Sequence, residues 1–223
     1  MPPTYLKPAT VEALVATIAS VAAAAPELPY LYYHIPSMTG VDFKMYDFVR
    51  AADGVVKTLR GVKFTDNALD DLQFCVNYEL KSDAAHYKGR SMNMLYGHDQ
   101  QALSAFVLGV HGAVGSTYNW NGELQNKVLD AANRGDLAAA RAAQLASARF
   151  VDMGVAFGAK IQPGADAWKT VMQAIPGVPS MGPPRLPFLP ATPDSMAKLT
   201  AEIKAWCAQT SANLRPSWCA TVV

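Results

Sequence analysis

The sequence predicts a parallel α/β fold followed by a helical region, and three observations carry that prediction. Short β-prone runs alternate with helically periodic stretches over residues 11–116, the pattern of strands joined by crossover helices. A reactive or polar side chain stands at or just past the end of each run, at Tyr33, Lys63, Asp99 and Ser116. In parallel α/β folds the carboxyl ends of strands are where chemistry is placed. Beyond residue 124 the periodicity is helical throughout, apart from a proline-dense crossing at 176–193 that cannot be regular helix.

Taken in order, residues 11–25 form the first helix. Leu14, Val15, Ile18, Val21, Ala22 and Ala25 recur at helical spacing, Thr10 supplies an N-cap and Pro26 a stop. Residues 30–35 are an aromatic strand closed by Pro36, and residues 42–52 a helix. A strand over 58–64 and a helix over 67–77 follow, then a polar loop at 81–91 with mobile character. The third strand is 92–96 with its helix at 100–108, and a short fourth strand at 113–116 is bracketed by glycines. Helices are predicted over 124–133, 137–157, 165–175 and 195–213, and the tail after Pro216 carries no visible role.

A length of 223 residues with 51% hydrophobic side chains suffices for one good-sized domain core. A net charge of +1 and a scattered 17% of charged residues give no reason to expect nucleic acid or an anionic membrane as partner. The apolar stretch at 11–25 lacks a basic flank, is interrupted by Glu12 and is too short to span a bilayer. Cys75, Cys207 and Cys219 are odd in number and form no C-x-x-C, so neither a disulfide framework nor a zinc site is expected. A reduced, cytoplasmic compartment follows from that expectation.

The candidate chemistry starts with Lys63. A charged ammonium ending a buried strand is costly unless it is paired or deprotonated, and a deprotonated amine is a nucleophile toward ketones. The plainer reading pairs Lys63 with Asp66 or Asp42 at the sheet rim. Tyr33 offers a phenol, or is simply a core ring with its hydroxyl at an edge. Strand alternation sends Tyr32 and Tyr33 to opposite faces. His34 and His98 follow strand ends without ligand partners at metal spacing, so no metal is expected there, while His86 and His111 have no assigned task. Gly97, Asp99 and Gln100 suit hydrogen bonds to a polyol, or Asp99 caps the next helix. Ser116 binds an oxygen or turns the chain.

Joined together, several stretches resemble the N-acetylneuraminate lyases, the sialic acid aldolases of the class I pyruvate-lyase family that includes dihydrodipicolinate synthase. They are Ala22-Ala23-Ala24-Ala25-Pro26, Tyr32-Tyr33-His34-Ile35-Pro36, Thr39-Gly40-Val41, Gly61-Val62-Lys63-Phe64-Thr65-Asp66, Gly112-Ala113-Val114-Gly115-Ser116-Thr117-Tyr118-Asn119 and Met181-Gly182-Pro183-Pro184-Arg185-Leu186-Pro187. The resemblance implies a TIM (β/α)8 barrel, cleavage of N-acetylneuraminate to N-acetylmannosamine and pyruvate, and a homotetramer. No cofactor is implied beyond the covalent Schiff base with substrate. It casts Lys63 as the Schiff-base lysine and Tyr33 as the proton shuttle. Thr65, Gly97, Asp99, Gln100 and Ser116 match positions that contact the sugar acid, with Gln100 standing where the family usually has glutamate.

The match begins near the end of the family's fourth strand. The Ser/Thr-Thr-Gly-Glu loop that holds the substrate carboxylate is not among these residues. The expected architecture over residues 1–223 is therefore a single partial barrel of about the last four strands, with a helical extension from about residue 124. Its inner face, with Tyr33, Phe64 and Leu95, is expected to be partly wet beside open sheet edges. Met1 is then either a true start or an internal methionine. Two functional readings stand: a sialate lyase, or a catalytically silent truncated isoform that associates with full-length subunits.

Overall fold

The computed structural model describes residues 1–81 and 91–222. The loop expected at 81–91, with His86, therefore lies almost wholly outside the described residues. The chain forms two compact units, one from the described parts of Met1–His98 with Ser104–Val114, the other from Asp99–Leu103 with the residues after Val114.

The first unit is built on a parallel four-stranded sheet in sequential order. Its strands are β1 (Tyr30–His34), β2 (Leu59–Phe64), β3 (Asn93–Tyr96) and β4 (Gly112–Ala113). Helix α1 (Val11–Ala23) precedes them, and the Thr10 hydroxyl caps it by accepting from the Ala13 N–H at 3.2 Å. Leu14, Val15, Ile18 and Ala22 form its buried stripe, as their spacing requires.

Between β1 and β2 lie α2 (Pro36–Thr39) and α3 (Met45–Ala52). Pro36 does more than close the strand. It opens a single helical turn, and Gly40 at φ +63° ends that turn in the left-handed region glycine favours. The chain then runs irregularly to Met45, so α3 starts three residues later than the periodicity suggested. The cap for α3 comes from a distant helix, α4 (Leu69–Val76), whose Asp71 carboxylate accepts from the Met45 N–H at 2.6 Å and the Tyr46 N–H at 3.0 Å. That interaction satisfies two of the helix's otherwise orphan donors.

Register places Tyr33 opposite Lys63, and Lys63 opposite Leu95. Alternation then separates two faces. Tyr32, Val62, Phe64, Met94 and Tyr96 are fully buried in one core with Leu14, Ile18, Phe48 and Leu72. Tyr33, Lys63 and Leu95 share the opposite face and are half-buried. This corrects the expectation for Phe64: it neighbours Lys63 in sequence, so it must point the other way, into the helix-covered core.

The second unit is helical. After a 3-10 turn at Asp99–Gln101 and the start of α5 (Ala102–Val107), whose residues from Ser104 on belong to the first unit, its elements are α6 (Tyr118–Asn133), α7 (Leu137–Ala156), α8 (Ala167–Ala174) and α9 (Pro193–Gln209). Helix α6 begins six residues before the expected 124, because its buried face carries Asn121 and Gln125 beside Trp120, Leu124 and Val128. Polar residues on the core face hide the apolar period. Helix α9 opens with Pro193 in its first turn, capped by Thr192 accepting from the Ser195 N–H at 3.2 Å.

The tail after Pro216, to which the sequence assigns no visible role, is docked. Residues Ser217–Thr221 form a helical turn, the Trp218 indole donates to the Trp120 carbonyl at 2.7 Å, and Trp218 stacks on Trp206. Cys207 and Cys219 are joined in a disulfide that ties α9 to this turn. An odd cysteine count excludes only complete pairing, and Cys75 is the cysteine left free and buried. The bond also removes the sequence argument for a reduced compartment, since disulfides persist chiefly in oxidising surroundings. No helix among the described residues is long and apolar enough to cross a membrane.

Candidate active site

At the carboxyl end of the sheet, the two residues the sequence singled out face one another. The Lys63 Nζ lies 4.1 Å from the centroid of the Tyr33 ring. Parallel pairing of β1 and β2 in this register produces that contact directly, since both side chains leave the same sheet face at the same level. Neither alternative partner is paired with Lys63. Among the described residues Lys63 makes no ion pair, and Asp66 instead faces His34, its Oδ2 3.7 Å from Nε2.

Thr65, two residues past Lys63, returns to the same face. It is buried at 7% exposure, and its hydroxyl has no hydrogen-bond partner among the described residues. A buried orphan hydroxyl beside an amine is a group built for something else to bond to. Gly97 completes the cluster. A Cβ there would collide with the Thr65 hydroxyl and come within 3.2 Å of the Lys63 Cε, so only glycine lets these side chains close over the end of β3.

Asp99, Gln100 and Ser116 belong to the helical unit. Asp99 is buried, and its Oδ2 accepts from both the N–H (2.9 Å) and the hydroxyl (2.5 Å) of Thr117, the residue that leads into α6. Its Oδ1 accepts no hydrogen bond of good geometry among the described residues. Its carbonyl accepts from the Gln125 and Gln144 side chains, at 3.1 Å each. The carboxylate thus sits at the positive end of a 16-residue helix, the polarity that stabilises it. Asp99 thus anchors Thr117, the residue that leads into α6. A Cβ on Gly115 would collide with the Asp99 carboxylate, which explains the glycine before Ser116. Gln100 is half-buried and Ser116 exposed. Burial pushes the Tyr118 phenol well above its ordinary value, reinforced by the Asp99 charge.

One grouping escaped the sequence reading. His34, Asp42 and Asp66 each bring a ligand-capable atom within 4.8 Å of the others. Spacing along the chain gave no hint, because the α2 turn and Gly40 are what fold Asp42 back toward the β1 exit. Burial pushes the His34 imidazole below its ordinary value, and the Asp66, Asp42 and Asp71 carboxylates pull it the other way.

The first unit is thus a sequential parallel sheet with a lysine and a tyrosine facing each other at its carboxyl end. The chain belongs to the dihydrodipicolinate synthetase family, whose model matches residues 1–206. It is 40% identical to N-acetylneuraminate lyase of Mus musculus over 203 residues, covering 91% of this chain and 59% of the mouse protein. It is also 40% identical to N-acetylneuraminate lyase of Danio rerio over 200 residues, covering 90% of this chain and 61% of that one. Among solved structures, N-acetylneuraminate lyase of Proteus mirabilis superposes with a TM-score of 0.75 at 29% identity, over 92% of this chain and 63% of that one. The Aliivibrio salmonicida enzyme gives 0.75 at 28% identity, over 95% and 64%. The chain therefore spans about three fifths of the length of the relatives it matches.

Proposed function

We propose that this chain carries the Schiff-base chemistry of an N-acetylneuraminate lyase, splitting the sugar acid into N-acetylmannosamine and pyruvate. The observation that carries the reading is the Lys63 amine held 4.1 Å from the Tyr33 ring beside the orphan Thr65 hydroxyl. The names of the relatives supply the substrate.

In this reading the Lys63 Nζ adds to the C2 ketone of the open-chain sugar and water leaves, giving an iminium. The Tyr33 oxygen takes the proton of the C4 hydroxyl as the C3–C4 bond breaks. The bonding pair passes to the iminium and leaves an enamine, which is protonated at C3 and hydrolysed to release pyruvate and regenerate the amine. Thr65 hydrogen-bonds the substrate near C2. Asp99, Gln100 and Ser116 contact the sugar tail, with Gln100 offering a neutral amide. No metal or organic cofactor enters the cycle. The sheet forms part of a TIM barrel, and the protein works as a homotetramer.

A second reading rests on the half-buried Tyr33–Lys63 face of the sheet and its edges. Tyr33, Lys63 and Leu95 are half-buried, and β1 and β4 each pair on one side only among the described strands. A chain with those open edges acts as a silent subunit that associates with full-length copies. Pyruvate release from N-acetylneuraminate separates the two readings. Turnover by the 223-residue chain that Lys63→Ala abolishes supports the lyase. Absence of turnover in a folded preparation, with co-purification on a full-length relative, supports the silent subunit.

A further inference from the structure

Behind the catalytic face, at the exit of β1, the His34 side chain points to the helix side of the sheet, since alternation separates it from Tyr33. It is 1% exposed, and its Nδ1 has no hydrogen-bond partner among the described residues. Its Nε2 faces the Asp66 carboxylate at 3.7 Å, too far for a hydrogen bond. Asp42 completes a triangle in which all three ligand atoms lie within 4.8 Å of each other. Neither Asp42 nor Asp66 is paired with a lysine or arginine among the described residues.

We propose that His34, Asp42 and Asp66 bind a divalent transition metal, zinc being the ion this nitrogen-and-two-carboxylate set suits. Zinc bonds to imidazole nitrogen and carboxylate oxygen at about 2.0–2.2 Å, so tetrahedral ligand atoms stand roughly 3.4 Å apart. The His34–Asp66 gap of 3.7 Å is already near that spacing. Asp42 is exposed and free to swing inward. The neighbouring Asp71 is no competitor, because both of its oxygens are taken by the α3 amides. Three protein ligands leave a fourth position for water. The ion sits opposite the Lys63–Tyr33 face, so its role is to pin the β1 exit, the loop after β2 and the α2–α3 connection together. It takes no part in the lyase chemistry, and the inference does not rest on the proposed function.

The test is zinc titration of the whole chain by calorimetry, after chelator treatment, with thermal melts alongside. Asp42→Asn removes a ligand from an exposed position and leaves folding intact, which His34→Gln need not do. Asp70→Asn, another exposed carboxylate, is the control. Saturable zinc binding that weakens at least about tenfold in Asp42→Asn and is unchanged in Asp70→Asn supports the site. A zinc-dependent rise in melting temperature that Asp42→Asn loses supports it too. No saturable binding, or equal binding by wild type and Asp42→Asn, overturns it.

Discussion

Asp99 offers a test in which two substitutions at one atom separate a structural carboxylate from one left free for a ligand. In Asp99→Ala, the N–H and hydroxyl of buried Thr117 lose their common acceptor and α6 loses the negative charge at its N-terminus. Hydrogen bonds to a charged group contribute about 1.5–3 kcal/mol each, and they overlap here because one oxygen serves both, so the expected loss is about 3 kcal/mol. Asp99→Asn keeps an acceptor toward Thr117 and loses the charge, so its expected cost is smaller, about 1 kcal/mol. Urea unfolding followed by tryptophan fluorescence is the assay. Trp120, Trp168, Trp206 and Trp218 are the chain's only tryptophans and all lie in the helical unit with Asp99, so the signal reports on that unit. An Asp99→Ala loss below about 0.5 kcal/mol, the range of an ordinary surface change, would refute the reasoning. So would an Asn variant as unstable as the Ala variant.

Further expectations follow from the same contacts. Gly97→Ala overpacks the Lys63–Thr65 contact and lowers stability by about 1–3 kcal/mol; an alanine variant with the wild-type urea midpoint contradicts this. Cys219→Ser opens a disulfide loop with a sequence separation of 12 and costs about 3 kcal/mol in the chain-entropy account. Wild-type protein in reductant should unfold at the same urea concentration as the serine variant, and a difference between them would assign the effect to the substituted side chain. The Ser217 hydroxyl and N–H hold the Glu123 carboxyl below its ordinary value. A depressed folded value means this contribution is full above the unfolded value of about 4.3 and is lost as pH falls through the folded one. Acid should therefore loosen the tail, seen as a change in Trp218 fluorescence that Glu123→Gln removes; an identical acid response in that variant argues against the contact.

The parts of the fold legible in the sequence are those where local pattern and tertiary role agree. The strands around Tyr33 and Lys63 are β-prone, end at turn-forming residues and meet in parallel, so their contact followed from chain order. The face of Phe64 is harder to read, because Arg60 and Lys63 interrupt the apolar residues of β2 and leave no clean alternation. Only parity with Lys63 reveals it. The start of α6 was hidden because Asn121 and Gln125 occupy core positions, where Gln125 bonds the Asp99 carbonyl. The Cys207–Cys219 pair depends on the tail folding back onto α9, and a spacing of 12 carries no motif. His34 and Asp66 meet through the pairing of β1 with β2, and Asp42 joins them after the α2 turn and the left-handed Gly40, a route through the fold that leaves no chemical signature along the chain.

The central claim is that Lys63 is the nucleophilic amine, and reductive trapping tests it most directly. The folded chain is incubated with pyruvate, reduced with borohydride, digested and sequenced by mass spectrometry. The account predicts one reduced pyruvyl adduct on Lys63, lost in Lys63→Ala. No adduct on the folded chain, or an adduct on another lysine such as Lys44 or Lys57 with Lys63 unmodified, would contradict it.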